Sequence, residues 1–278
     1  MTDEHKAGVP VRKPCFLVVC ATAMELRSAL HLLPGGPGVD LKAFEQGARL
    51  DVRYADLPLL PMPGSDLRLL VCGVGPVAAA LTFGRISAQG PMTEFCEGVC
   101  NFGLAGSYDP DAAPPGSIVL AEREYWPEYG VWPEADEKVN GNIMDTAPGL
   151  PAQLHFAQGL LPSGPIFSRL ELDPDNTLGN MGLNCHTVQR RGTSVTMAAV
   201  SGTRRRAGRM AALSGGLTEN MEGFALALGA RAAGLPFVEI RAVSNVAGRR
   251  PPDTWDMPGA SQALAEAASS LFKPFIHP

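Results

Sequence analysis

The sequence predicts one α/β domain, a sandwich of helices around a mixed or mainly parallel sheet. Three observations carry that expectation. Short, wholly apolar runs read as strands covered on both faces. Runs of helical period alternate with them, and small-residue turns sit at several strand ends. At 278 residues, 45% apolar and 18% charged, the chain can bury a substantial core and is not disordered as a whole.

Phe16 to Ala21 is an unbroken apolar run, as a doubly covered strand requires. Glu25 to Leu33 follows at helical spacing, with Leu26, Ala29, Leu30 and Leu33 on one side, and Pro34-Gly35-Gly36 stops it. Leu67 to Cys72 begins a second unit, which turns at Gly73-Val74-Gly75-Pro76 into an Ala-rich helix from Val77. Gly98 to Phe102 is a third core strand running into a small-residue turn, Gly103 to Ser107. Ser117 to Ala121 is a further strand. Residues 122 to about 165 hold many prolines and aromatics with little periodicity, and read as a loop-rich insertion that covers a substrate. Thr193 to Val200 is again strand-like, followed by a helix bearing Arg204, Arg205, Arg206 and Arg209, most simply a solvated face. A helix from Met221 to Ala233, a strand from Phe237 to Val243 and a closing amphipathic helix from Leu264 to Phe272 complete the chain. No linker or internal repeat divides it. The expected organisation is a flexible tail over 1–14 and one domain over 15–278.

Composition excludes several classes of function. A net charge of −5 argues against general nucleic-acid binding, which needs clustered positive charge. The six cysteines form no C-x-x-C pair and the five histidines show no metal-ligand spacing, so neither a metal nor an organic cofactor is expected. Four of the cysteines lie in hydrophobic segments and read as buried free thiols of a reducing compartment. No apolar run approaches the roughly 20 residues that span a bilayer. The first 14 residues are polar and lack a hydrophobic signal core. A cytoplasmic protein with no membrane partner is the expectation.

The most informative stretch is Glu219-Asn220-Met221-Glu222-Gly223, followed by Glu239 to Asn245. It puts a carboxylate at the head of an apolar helix, and then an Arg and an Asn at the end of a hydrophobic strand. In an open α/β sheet the carboxyl ends of strands line the ligand crevice, so Glu222, Arg241 and Asn245 can converge on one pocket. Each has a plainer role. Glu25 and Glu222 suit helix N-termini, where a negative charge contributes about 0.3–1 kcal/mol. Asn245 suits an Asx turn that ends a strand. Arg241 is harder to dismiss, because a buried unpaired charge is costly. Gly73-Val74-Gly75 suits a phosphate cradle but lacks the third glycine of G-x-G-x-x-G and the Lys-Ser/Thr of a P-loop, so a tight turn is the simpler account.

Five short motifs in order resemble the nucleoside phosphorylase/nucleosidase superfamily. They are Ala23-Met24-Glu25, Gly73 to Ala80, Asn101 to Gly106, Met221-Glu222, and Arg241 to Asn245. The resemblance covers residues 16 to about 272 and implies a three-layer α/β/α sandwich with a mixed central sheet. The methylthioadenosine/S-adenosylhomocysteine nucleosidases are similar. The segment Glu124 to Trp132 and the stretch from Ile240 through Arg249, Arg250 and Trp255 most resemble the futalosine hydrolase branch, which serves menaquinone biosynthesis. Nucleosidases that cleave adenine nucleosides carry Asp where Asn245 stands. A neutral amide donates toward N7 or O6 of a 6-oxopurine, so Asn245 favours hypoxanthine as the leaving group.

What the resemblance implies for the site follows residue by residue. Glu25 activates water, Glu222 grips the ribose hydroxyls and stabilises positive charge at C1′, and Met221 packs on the sugar. Arg241 holds Glu25, the water or both, and Asn245 meets the departing base. Gly75, Ala105 and Gly106 floor the pocket, Phe102 is one candidate for stacking on the base, and the loop bearing Trp126 covers the substrate's tail. The partner is a small nucleoside, and the working unit a homodimer or larger homo-oligomer. Three alternatives stay open: an adenine-specific nucleosidase acting on methylthioadenosine, S-adenosylhomocysteine or aminodeoxyfutalosine; a purine nucleoside phosphorylase; and a non-catalytic nucleoside-binding protein.

Overall fold

The computed structural model describes residues 12–45, 53–129, 168–185, 188, 190–251 and 254–277. Most of the expected tail, and the expected insertion from residue 130 on with Trp132, lie outside the described residues. The chain runs β1 (Cys15–Cys20), α1 (Ala23–Leu30), α2 (Lys42–Glu45), β2 (Leu59–Pro61), β3 (Asp66–Val71), α3 (Pro76–Ser87) and β4 (Gly98–Ser107). Then come β5 (Ile118–Tyr125), β6 (Arg169–Glu171), α4 (Pro174–Asn180), β7 (Arg190–Thr196), α5 (Arg204–Ser214) and β8 (Gly216–Asn220). It closes with α6 (Gly223–Ala232), β9 (Phe237–Val246), α7 (Met257–Leu271) and α8 (Lys273–Ile276).

β1 shows why the sheet is covered on both faces. Successive strand side chains point to opposite sides. Phe16, Val18 and Cys20 therefore join one core with Leu26 and Leu30 of α1, Leu264 and Leu271 of α7, and Phe102. Leu17 and Val19 join the other, with Phe83 of α3 and Phe224 and Leu226 of α6. Two cores on opposite faces make the three layers, and an apolar run without alternation is their signature in sequence.

The sheet is mixed. β3, β1, β4 and β9 form a parallel block in that order, β2 pairs antiparallel with β3 at one edge, and β8 and β5 run antiparallel to β4 and β9 respectively. Because β9 pairs with both β4 and β5, while β8 joins β4 to β7 and β7 joins β5, five strands close on themselves at one end. Parallel strands crossed over by helices put their carboxyl ends on one rim, and that rim carries the site.

Several expected boundaries move, for physical reasons. Gly103 to Ser107 is not a turn; it is the second half of the ten-residue β4, with a register shift at Ala105/Gly106. Its small residues serve close packing: a Cβ on Gly103 would lie 2.1 Å from Nη1 of Arg241. The helix expected from Met221 begins at Gly223, because β8 continues to Asn220. β7 lies at 190–196 rather than 193–200, β5 runs on to Tyr125, and β9 to Val246. Asn245 therefore sits inside a strand instead of ending it by an Asx turn. β2, β6, α4 and β8 carry too few apolar residues to show a period. Helix α7 starts at Met257, seven residues before the expected boundary, with Asp256 accepting from the Gly259 N–H at 2.9 Å. All six cysteines are buried and unbridged. Among the described residues no helix is long and apolar enough to cross a membrane.

Phe102 is wholly buried in the core beneath α7, its ring centroid 6.4 Å from that of Phe272. It faces away from the strand-end rim, which removes it from base stacking. Phe102→Ala should cost about 3–5 kcal/mol in denaturant unfolding and leave KM unchanged. A raised KM with unaltered stability would return Phe102 to the site.

Candidate active site

A cavity of about 270 Å³ opens at the carboxyl ends of β1, β3, β4, β8 and β9. Each strand end contributes through the turn that follows it. Thr22 and Glu25 come from the β1–α1 turn, Val74 from the β3–α3 turn, and Leu104 to Gly106 from β4. Glu219 to Glu222 come from the end of β8, and Ser244 and Asn245 from β9. Arg250 and Trp255 line it from the loop beyond, with the guanidinium 5.2 Å from the ring centroid.

Glu25 is fixed by local geometry. Thr22 caps α1, its Oγ1 accepting from the Glu25 N–H at 3.2 Å, and Glu25 Oε2 accepts in return from the Thr22 N–H at 2.9 Å and hydroxyl at 2.8 Å. This reciprocal capping box satisfies two helix-end donors and pins the carboxylate. Its Oε1 accepts from the Leu104 N–H at 2.9 Å, which ties α1 to β4. The carboxylate is buried yet borders the cavity.

Glu222 is fixed by tertiary contacts. Its Oε1 accepts from the Gly75 N–H at 2.8 Å, and its Oε2 lies 3.8 Å from Nη1 of Arg241. Gly75 holds φ at 95°, a conformation that favours glycine, so the turn can aim its N–H at the carboxylate. The donor considered for phosphate is thus engaged by Glu222. Burial raises the Glu222 carboxyl above the ordinary range, Arg241 and the Gly75 N–H pull it down, and Glu25 pushes it up; the net direction is upward.

Arg241 lies just beneath, only 1% exposed. Its Nε donates to Glu239 Oε1 at 2.8 Å. The expected bond from Arg241 to Glu25 does not form: among the described residues its ion pairs are Glu239 and Glu222. Glu25 depends on the Thr22 and Leu104 N–H groups instead. Burial works against the charge on Arg241, and the carboxylates of Glu239 and Glu222 more than offset it.

Asn245 presents an amide held by its neighbours. Its Oδ1 accepts from the Ser244 hydroxyl at 2.9 Å and its Nδ2 donates to the Val246 carbonyl at 3.1 Å. An amide has two N–H donors, so one stays available toward the cavity. Met221, Ala105 and Gly106 line the cavity, whereas Gly75 serves through its N–H to Glu222. Trp126 does not line it among the described residues. Its ring stacks on Tyr129 at 4.9 Å and tilts against Phe224 of α6. Among the described residues no group of three His, Cys, Asp or Glu could hold a metal ion.

Two residues escape sequence reasoning. Asn220 accepts at Oδ1 from the N–H groups of Glu222 at 2.9 Å and Gly223 at 2.8 Å, and so satisfies the first helical N–H of α6 and sets the backbone that carries Glu222. Glu219 lines the cavity and accepts at both oxygens from the Ser201 N–H, at 3.1 and 3.2 Å. Their signal was the polar run Glu219-Asn220 directly before Met221-Glu222, which is legible as a site only once β8 is known to end there.

A strand-end cavity lined by three buried glutamates, Glu25, Glu219 and Glu222, and by the amide of Asn245 is where an open α/β fold binds a small polar ligand. The phosphorylase superfamily profile matches residues 16–277. Futalosine hydrolase of Streptomyces coelicolor is 33% identical over 262 residues, covering 92% of this chain and 94% of that protein. Futalosine hydrolase of Thermus thermophilus is 33% identical over 220 residues, covering 78% and 86%. The solved structure of a futalosine hydrolase mutant from Helicobacter pylori superposes with a TM-score of 0.61 at 16% identity, covering 94% of this chain and 99% of that one. The chain belongs to the phosphorylase superfamily and, within it, to the futalosine hydrolase family. It is an N-glycosyl hydrolase.

Glu222→Gln should lower kcat by at least about 10²-fold while the fold persists. The raised carboxyl makes a second expectation. A glutamate whose folded pKa is raised contributes stability below its unfolded value of about 4.3 and loses it as pH rises through the folded value. Melting temperatures should therefore show wild type losing ground to Glu222→Gln as pH rises past about 4.3, then levelling. Wild type gaining on Glu222→Gln as pH rises would contradict the assigned direction.

Proposed function

We propose that the cavity hydrolyses the N-glycosidic bond of futalosine, releasing hypoxanthine and dehypoxanthine futalosine, a step of menaquinone biosynthesis. The observation that carries this reading is the convergence of Glu25, Glu222 and Asn245 on one cavity. Cleavage of C1′–N9 sends the bonding electrons to the purine and leaves an oxocarbenium at C1′. Water then attacks C1′ and loses a proton, which passes to Glu25 and finally to the departed base, so atoms and charge balance. A positioned base of this kind contributes about 10²–10⁴-fold. Glu222 holds the ribose hydroxyls and faces the growing positive charge, with Met221 against the sugar. The remaining Nδ2–H of Asn245 donates to N7 or O6 of hypoxanthine, whose ring carries the developing negative charge. The working unit, by family resemblance, is a homodimer or larger homo-oligomer in the cytoplasm, acting without metal or organic cofactor.

The test is base release by purified protein in phosphate-free buffer, with futalosine and methylthioadenosine in parallel. Hypoxanthine from futalosine, without adenine from methylthioadenosine, is the expected result. Adenine release would remove Asn245 as the selector, and dependence on added phosphate would make the enzyme a phosphorylase. Asn245→Asp should shift the kcat/KM ratio toward methylthioadenosine by about 5–150-fold, the equivalent of one unpaired buried group at about 1–3 kcal/mol. An unchanged ratio would place base selection elsewhere.

A further inference from the structure

Beneath the cavity lie two further glutamates that the hydrolytic scheme does not use. Glu124 of β5 and Glu239 of β9 are both fully buried. Glu124 Oε2 accepts from the Thr196 hydroxyl at 2.7 Å, and its Oε1 from Asn220 Nδ2 at 2.7 Å. Glu239 Oε1 accepts from Arg241 Nε at 2.8 Å and the Ser194 hydroxyl at 2.9 Å, with Asn220 Nδ2 farther off at 3.4 Å. Thr196 Oγ1 accepts from the Phe224 N–H at 2.8 Å, which joins the group to the first turn of α6. Glu239 thus touches Arg241, Thr196 and Asn220 touch the helix start that carries Glu222, and Glu124 and Ser194 are bonded to these.

Two buried atoms in this group lack a hydrogen-bond partner among the described residues, Arg241 Nη2 and Glu239 Oε2, and the second is an acceptor that no described donor reaches. Gly223 shows what faces it. A Cβ built on Gly223 would sit 2.2 Å from Glu124 Oε1 and 2.4 Å from Glu239 Oε2, so both oxygens crowd one point beside the glycine. Two ionised carboxylates at such range repel, and a single shared proton resolves the conflict. That proton also supplies the donor Glu239 lacks. Burial, and then the neighbouring Glu239, push the Glu124 carboxyl far upward, in keeping with the same assignment.

We infer that Glu239 is a positioning residue for Arg241, and that Glu124 stays a neutral acid donating its proton to Glu239. The assembly then holds Arg241 between two anions of different duty. Glu239 anchors it from below at 2.8 Å, and Glu222 meets it from above at 3.8 Å. Without the Glu239 charge Arg241 is free to close on Glu222 and draw that carboxylate out of the cavity. Asn220 links the two levels, donating to Glu124 while accepting from the Glu222 and Gly223 N–H groups.

The two glutamates should answer differently to glutamine, although they share one network. Glu239→Gln is expected to lower kcat by about 10²-fold or more, with KM nearly unchanged; Glu124→Gln, which replaces a neutral acid by a neutral amide, should lose less than about tenfold. Glu239→Asp restores the anion at shorter reach and should recover part of the rate, which also covers the case in which Glu239→Gln does not fold. Infrared spectra of the wild-type protein at neutral pH should show a protonated-carboxyl C=O band that Glu124→Gln abolishes. Near-normal turnover in Glu239→Gln, or no gain in Glu239→Asp over it, would overturn the role of Glu239. A band that persists in Glu124→Gln, or a loss there equal to that in Glu239→Gln, would overturn the neutral acid. The rate readout rests on the hydrolase reading, whereas the infrared band does not, so failure of one is distinguishable from failure of the other.

Discussion

The buried charge of Arg241 is the constraint around which the site is organised. A guanidinium taken out of water costs several kcal/mol unless anions and hydrogen bonds replace its hydration. In this chain the replacement dictates neighbours on three elements. β4 and β9 pair so that Gly103 stands beside Arg241, and only a residue without Cβ leaves room for the guanidinium there. Glu239, two positions earlier on β9, points to the same face of the strand and supplies the close anion. Glu222 arrives from the start of α6 and supplies the other. Deleting one partner of such a pair typically costs about 3–5 kcal/mol, because the remaining charge is stranded.

The two carboxylates proposed for catalysis are held by contrasting means. Glu25 is held mainly by its own helix start, through hydrogen bonds within four residues of sequence, with one tie to β4. Glu222 depends on groups far away in the chain, Gly75 and Arg241, and bears a net cost of ionisation. A site that must place negative charge against a developing cation gains from that arrangement. The carboxylate is buried in the resting enzyme, so the interaction with positive charge at C1′ that we propose for it gains strength in a water-poor cavity. The fold bears the cost, as active sites commonly do at the expense of stability.

How much of this was legible in the sequence follows from what each residue touches. β1, β3 and the front half of β4 are buried on both faces, and their apolar runs announce it. Glu25, Glu222 and Asn245 sit at strand ends or helix starts, where motif order alone marks them as candidates, and the fold brings them to one cavity. Phe102 misled because an aromatic beside a site motif has the same letter whether it faces the cavity or α7; the pleat decides, and the pleat was hidden by misreading Gly103 to Ser107 as a turn. β8 was missed because Thr218, Glu219 and Asn220 are polar yet buried, their partners coming from β7, β5 and the Ser201 backbone. Glu124 and Glu239 were passed over for the same reason. Polar residues bonded to one another inside a core leave no period in the sequence.

The charges around the cavity also bear on the choice of nucleophile. In the β3–α3 turn, the N–H of Gly75 is the donor an incoming anion would take, and Glu222 already occupies it at 2.8 Å. The cavity wall carries Glu25, Glu219 and Glu222, while Arg250, lying over Trp255, is the cation among its described lining residues. Arg241 is beneath the wall and compensated by Glu239. A phosphate entering beside Glu222 would meet repulsion from these carboxylates and would have to displace one of them to gain a backbone donor. Water meets neither obstacle, and Glu25, buried with both oxygens hydrogen-bonded, is the base we propose for its proton. The acidity of the cavity and the engagement of Gly75 thus favour hydrolysis on the same physical ground that holds Glu222 in place.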